Sequence, residues 1–201
     1  ARPRVSGCLK RAGALSTPSP NPAMHFSDLE SLTLLIVRDA GEPALWSERW
    51  EYSYPMVQST ACSAAQSIEQ WQRGVQAAFA AIRGNGAVML VAYGAGALAA
   101  AAWYYQTDTA AQRRVAGVIL VSPSREAWQD DEYHTLARCR FNCKTALVIG
   151  SGDERSPEAW ARQQAEQWRA RLLVSPHTGR LNGEMGGWQW GMRLMQEMLI
   201  Y

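Results

Sequence analysis

The chain has 201 residues, 47% of them hydrophobic, which is enough for one domain with one sizeable core and leaves little room for a second. Its 20 basic and 18 acidic side chains are unevenly placed: residues 1 to 23 hold Arg2, Arg4, Lys10 and Arg11 and no acid, so the remainder is close to neutral. A near-neutral body argues against a nucleic-acid-binding face, and no apolar run approaches the roughly 18 residues of a membrane span.

Residues 1 to 23 are rich in Pro, Ser and Arg and lack an apolar segment, so they do not read as a secretory signal. They are expected to form a poorly packed arm, an upstream extension ahead of a start at Met24, with residues 24 to 201 as the domain proper. Cys8, Cys62, Cys139 and Cys143 are too few and too irregularly spaced for a disulfide framework, which points to a reducing, cytoplasmic setting. His134, Cys139 and Cys143 lack a paired C-x-x-C knuckle, and the expectation is no metal and no cofactor.

From Leu32 onward, short β-type runs alternate with helical segments, the pattern of a mostly parallel sheet covered on both faces. Leu32 to Val37 reads as the first strand, and Pro43 to Tyr52 as a short helix with Trp46 and Trp50 four apart on one face. A possible second strand covers Met56 to Ser59. Ser67 and Gln70 form a capping box that opens a helix running to about Arg83, with Gly84 as its stop. Ala87 to Ala92 is the clearest buried strand, and it passes through Tyr93-Gly94-Ala95-Gly96 into an alanine-rich helix ending near Gln106. Val115 to Val121 and Thr145 to Ile149 are further buried strands, separated by a polar stretch rich in helix formers. Ser156-Pro157 starts a helix to about Ala170, Arg171 to Val174 supplies a last strand, and Trp188 to Ile200 closes the chain as a helix. The expectation is one three-layer α/β sandwich with a mostly parallel sheet of five or six strands.

Three segments carry the chemistry. Leu45-Trp46-Ser47-Glu48-Arg49-Trp50-Glu51 lies in the first helix, Ala92-Tyr93-Gly94-Ala95-Gly96 at the strand-to-helix junction, and Ser151-Gly152-Asp153 after the penultimate strand. They are followed in order by Gly179-Arg180-Leu181-Asn182-Gly183-Glu184-Met185-Gly186-Gly187-Trp188. This series resembles the small YdeN-like serine hydrolases, the family that includes the retinoblastoma-binding serine hydrolase. Those proteins carry a Trp-rich helix, a G-H-S-x-G elbow, an S-x-D turn and a G-H-x-N-x-x-S-G-x-x-W loop. The resemblance covers about Leu32 to Tyr201 and implies a three-layer α/β-hydrolase-like fold and a catalytic triad of which this chain keeps one position. Gly94 stands where the nucleophilic serine would be and Arg180 where the histidine would be, while Asp153 matches the acid.

No shift of alignment restores the nucleophile, because no Ser or Cys occurs from Ile68 to Val121. Arginine stays protonated and cannot take a proton from a nucleophile. A dinucleotide reading of Gly94-Ala95-Gly96 fails on spacing, since Ala99 falls at the third glycine position. The leading expectation is therefore a non-catalytic hydrolase-fold protein that acts as a binding or regulatory module for a protein partner or a small anionic ligand. Tyr93, Gly94, Ala95, His177, Arg180 and Trp190 are the candidate ligand-binding residues. The alternative is an esterase-like enzyme with a non-standard site built from Asp153 and His177, with Tyr93 in the cleft. Arg180 is expected to form an ion pair with Asp153 beside Gly94.

Overall fold

A computed structural model describes residues 31–128 and 133–200, so the expected N-terminal arm lies outside the described residues. The elements in chain order are β1 (Thr33–Asp39), α1 (Leu45–Ser53), β2 (Val57–Cys62), α2 (Ile68–Ala80), β3 (Val88–Tyr93), α3 (Ala95–Gln106) and α4 (Thr109–Arg114). They continue with β4 (Val115–Val121), α5 (Tyr133–Arg138), β5 (Lys144–Ser151), α6 (Glu158–Trp168), β6 (Arg171–Thr178) and α7 (Met185–Ile200). The six strands form one sheet in the order β2-β1-β3-β4-β5-β6, and every neighbouring pair is parallel.

Parallel neighbours require crossover helices on both faces, and the side chains of the central strands divide accordingly. On β1, Leu35 and Val37 join a core with α2, α3, α5 and α6, while Leu34 and Ile36 join a second core with α1 and α7. Each apolar strand therefore serves two cores through the two-residue alternation of its side chains. Helix α3 is buried on every side from Ala95 to Tyr104. Its run of alanines lets it sit close to the sheet beneath α2, and a Cβ on Gly96 would run into the Val37 carbonyl. That close approach sets the start of α3 against the end of β1.

The structure departs from the sequence reading at a few ends. Helix α2 stops at Ala80, and the next residues turn toward Gly84, whose φ of 77° suits glycine. Strand β2 extends to Cys62, and the short α4 occupies residues that the sequence reading left unassigned. Strand β6 runs on through Pro176 to Thr178, past the expected end at Val174, and a proline is tolerated there because β6 lies at the edge of the sheet. Met185, Gly186, Gly187 and Trp188 all have positive φ, so the regular part of α7 begins only after Trp188. Among the described residues no helix is long and apolar enough to cross a membrane.

Candidate active site

In a parallel α/β sheet the strands' carboxyl ends form the edge where ligands and catalytic groups collect. Here that edge carries Asp39 from β1, Gly94 after β3, Ser122 and Ser124 after β4, Asp153 after β5 and Arg180 after β6. Helix α1 fixes the last of these. Leu45 N–H donates to the Asn182 carbonyl at 3.1 Å, Trp46 Nε1 to Leu181 O at 2.8 Å and Trp50 Nε1 to Gly187 O at 2.8 Å. The three indoles of Trp46, Trp50 and Trp188 pack together under this loop, with Trp46 and Trp188 centroids 4.6 Å apart. Residues flanking Arg180 are thus tied down by main-chain acceptors and a buried aromatic cluster.

Gly94 has φ 60° and ψ −128°, the sharp strand-to-helix turn at which an α/β-hydrolase displays its nucleophile. Register pairs Val37 with Ala92, which brings Asp39 alongside Gly94. The Asp39 side chain is buried, and its Oδ2 accepts from the Ala95 backbone N–H at 2.7 Å while Oδ1 accepts from the Gly41 N–H at 2.8 Å. Ser124 Oγ approaches the same Oδ2 at 3.4 Å. The N–H after the elbow and an N–H from the loop after a neighbouring strand are the two donors that line an oxyanion hole in this fold. The first of these, the Ala95 N–H, is held here by the chain's own carboxylate. A Cβ on Gly94 would lie 2.5 Å from Asp39 Oδ2 and 2.8 Å from its Cβ, so the space beside the turn is taken as well.

Arg180 spends all five of its N–H donors. Nε donates to Glu42 Oε1 at 3.1 Å and Nη2 to Glu42 Oε2 at 2.5 Å, a fork against one carboxylate. The second Nη2 donor meets Ser124 Oγ at 2.7 Å, and Nη1 reaches Ser156 Oγ at 3.3 Å and Asp153 Oδ2 at 3.4 Å. The expected pair of Arg180 and Asp153 is present, yet Glu42 is the closer partner. Asp153 Oδ1 also accepts from the backbone N–H groups of Arg155 and Ser156, and Arg155 forms a second ion pair with Glu42. The guanidinium carbon lies 5.3 Å above the Tyr93 ring. Burial works against the Arg180 charge, but its hydrogen bonds to Glu42 and the charges around it hold its pKa above the usual arginine value. Burial also pushes the Tyr93 hydroxyl well above the ordinary tyrosine range, with Arg180 opposing, so the phenol keeps its proton.

Two of the other candidates stand apart. His177 lies on strand β6, where the sequence reading placed it on a loop, and its Nδ1 is 3.2 Å from Ser175 Oγ. The arrangement brings Asp153 to Arg180 and leaves His177 with Ser175. Trp190 sits half-buried on α7 with its ring 6.0 Å from that of Trp188, so it packs on the core. Ala95 contributes its backbone N–H, and Tyr93 the surface on which the guanidinium rests. Asp39 and Glu42 were not among the sequence candidates. Their signal was positional: acids directly after the first apolar strand belong to the ligand edge of a parallel sheet.

The strand–turn–helix at Gly94, the acid after β5 and the loop after β6, arranged on an all-parallel sheet, define an α/β-hydrolase-type domain. Residues 37–197 match the serine hydrolase family profile, described as "Serine hydrolase", and the chain belongs to that family. Among solved structures it is similar to a YdeN-like hydrolase from Pectobacterium atrosepticum, with a TM-score of 0.67 and 21% identity over 87% of this chain and 96% of that one. A CIB-like hydrolase from Thermoplasma acidophilum has a TM-score of 0.60 at 14% identity, covering 84% of this chain and 86% of its own. A hydrolase of the α/β superfamily from Xanthomonas campestris has a TM-score of 0.60 at 15% identity, covering 82% and 98%. At these identities the likeness speaks for the fold alone. No protein with a curated description matches the chain.

Proposed function

We propose that this member of the serine hydrolase family is non-catalytic and acts as a binding or regulatory module. The observation that carries the reading is Asp39, whose carboxylate holds the Ala95 N–H group that an acyl-transfer enzyme keeps for the developing oxyanion. Loss of a nucleophile alone leaves an oxyanion hole able to bind a substrate carbonyl. A resident carboxylate removes that as well, because a second anion at the same donor meets like charge in a buried setting. Arg180, locked against Glu42 and Asp153, supplies no proton acceptor in place of the histidine.

The test is labelling with a fluorophosphonate probe, combined with turnover of short-chain p-nitrophenyl esters. No label and no saturable turnover are expected. Saturable turnover abolished by Asp153→Ala or His177→Ala would establish an esterase-like enzyme instead. A partner protein or a small anionic ligand is then the object of recognition, in keeping with a fold whose sites vary independently of its architecture.

A further inference from the structure

At the opposite end of the sheet, between the starts of β5 and β6 and the last turns of α7, lies a cavity of about 510 Å³. This is within the usual range of small-molecule sites, roughly 300–1,000 Å³. Its floor is apolar. Leu173 on β6 faces Leu194 and Met198, which stand four apart on one face of α7, with Ala146 of β5 beneath. Its rim is basic. Lys144 opens β5, Arg171 opens β6 on the same strand face as Leu173, and Arg169 sits between α6 and β6, against a single acid, Glu197.

Two observations bear on the charge of this rim. The ion pairs of the described residues engage Arg38, Arg155, Arg162 and Arg180, and none engages Lys144, Arg169 or Arg171, although the Lys144 ammonium donates to the Met198 carbonyl at 3.1 Å. Arg169 also ends α6 in the left-handed conformation, φ 58° and ψ 37°, a position where glycine or asparagine is usual. A cation could meet the helix dipole from the preceding turn without that strain. An arginine held there at a conformational cost projects its charge from the corner where the groove begins.

We propose that this groove binds a small amphiphile, its anionic carboxylate or phosphate head between Lys144, Arg169 and Arg171 and its apolar chain along Leu173, Leu194 and Met198. The site shares no residue with the triad-equivalent cluster, so it stands whether or not the Gly94 edge is catalytic. Charge decides the head group: three cations face one acid, so an anion gains where a neutral or cationic head does not.

The test titrates the purified chain with decanoate and with decyl phosphate, by calorimetry and by amide chemical shifts, using decanol, decyltrimethylammonium, acetate and inorganic phosphate as controls. Saturable one-to-one binding of one or both anionic amphiphiles is expected, and comparing the two tells carboxylate from phosphate. Shift changes should fall on β5, β6 and α7. Loss of a charge-assisted contact in Arg169→Gln or Arg171→Gln should weaken binding about tenfold, and added salt should weaken it too. Both arginines are exposed, so thermal melts of these variants should match the parent. Three results would overturn the proposal: no binding of either anionic amphiphile, equal binding of decanol or decyltrimethylammonium, or binding that the arginine substitutions leave unchanged. Binding confined to anionic lipid vesicles would assign the face to a membrane surface and overturn it as well.

Discussion

Gly94 and Asp39 are coupled by space and by hydrogen bonding, and the coupling makes a prediction that loss of the nucleophile alone does not. A side chain at Gly94 must displace a buried carboxylate held by two N–H groups, at a φ that disfavours any Cβ. Gly94→Ser is expected to destabilise the fold by about 1–3 kcal/mol. Combining it with Asp39→Gly should recover part of that loss, with a coupling above about 0.5 kcal/mol in a double-mutant cycle read from urea midpoints. Simple additivity would show that the two residues do not compete. Arg180 makes the complementary prediction. Arg180→Met leaves the buried Asp153 carboxylate without its cation and Glu42 with Arg155 alone, and a loss of about 3–5 kcal/mol is expected. Adding Glu42→Gln and Asp153→Asn should restore most of the denaturation midpoint, because the cost lies in the unpaired charges. These residues also mark where sequence reasoning stops. Arg180 and Asp153 were legible through their motif positions. Asp39 and Glu42 were not, because acids after a strand are ordinary turn chemistry until tertiary closure brings them to the β3–α3 turn.

Helix α1 acts as a clamp whose strength lies in hydrogen bonds to main chain remote in sequence. Trp46→Phe keeps most of the packed ring and removes the bond from Nε1 to Leu181 O, leaving a buried carbonyl without its donor. A loss of about 1–3 kcal/mol is expected from denaturant unfolding. Helix α2 offers a local control. Its capping box is complete, Ser67 Oγ accepting from Gln70 N–H and Gln70 Oε1 from Ser67 N–H, and Ser67→Ala should cost about 1 kcal/mol without touching the Arg180 cluster. The capping box was readable because its two residues lie three apart in the chain. The end of β6 was not: after Val174 the sequence Ser-Pro-His breaks the apolar pattern, and only the edge position of β6 lets the strand continue through a proline.

The whole molecule keeps several ionisable groups neutral inside its two cores, and this makes it sensitive to alkali. Burial pushes the thiols of Cys62 and Cys139 up to about 12 from an ordinary value of 9.0, and it raises the hydroxyls of Tyr93 and Tyr104 as well. Between about pH 9 and 12 the folded state keeps protons that the unfolded chain releases, so stability falls as pH rises, by up to about 1.4 kcal/mol per pH unit for each thiol. Denaturation midpoints should drop steeply between pH 9 and 11, and Cys62→Ala should flatten the slope; a midpoint unchanged over that range would refute the burial of these groups. The architecture at this scale was the most legible part of the sequence. Runs such as Val88–Val91 and Val118–Val121 are apolar at every position, which only a strand covered on both faces allows. The order of the strands was not legible, because pairing depends on crossovers that composition does not encode.

The indole cluster under the Arg180 loop has a consequence for how the chain is made. Trp46 and Trp50 are synthesised long before Trp188, the ring that packs against both, and the rest of α7. Until then the sheet face formed by Leu34, Ile36, Met89 and Val91 lacks its α7 cover. A nascent chain therefore carries two large aromatic rings over a half-open apolar face until α7 is made, the condition under which unfinished chains stick to one another. Closure of this core waits for α7, and a message cut short before Trp188 yields a product for chaperones and proteases.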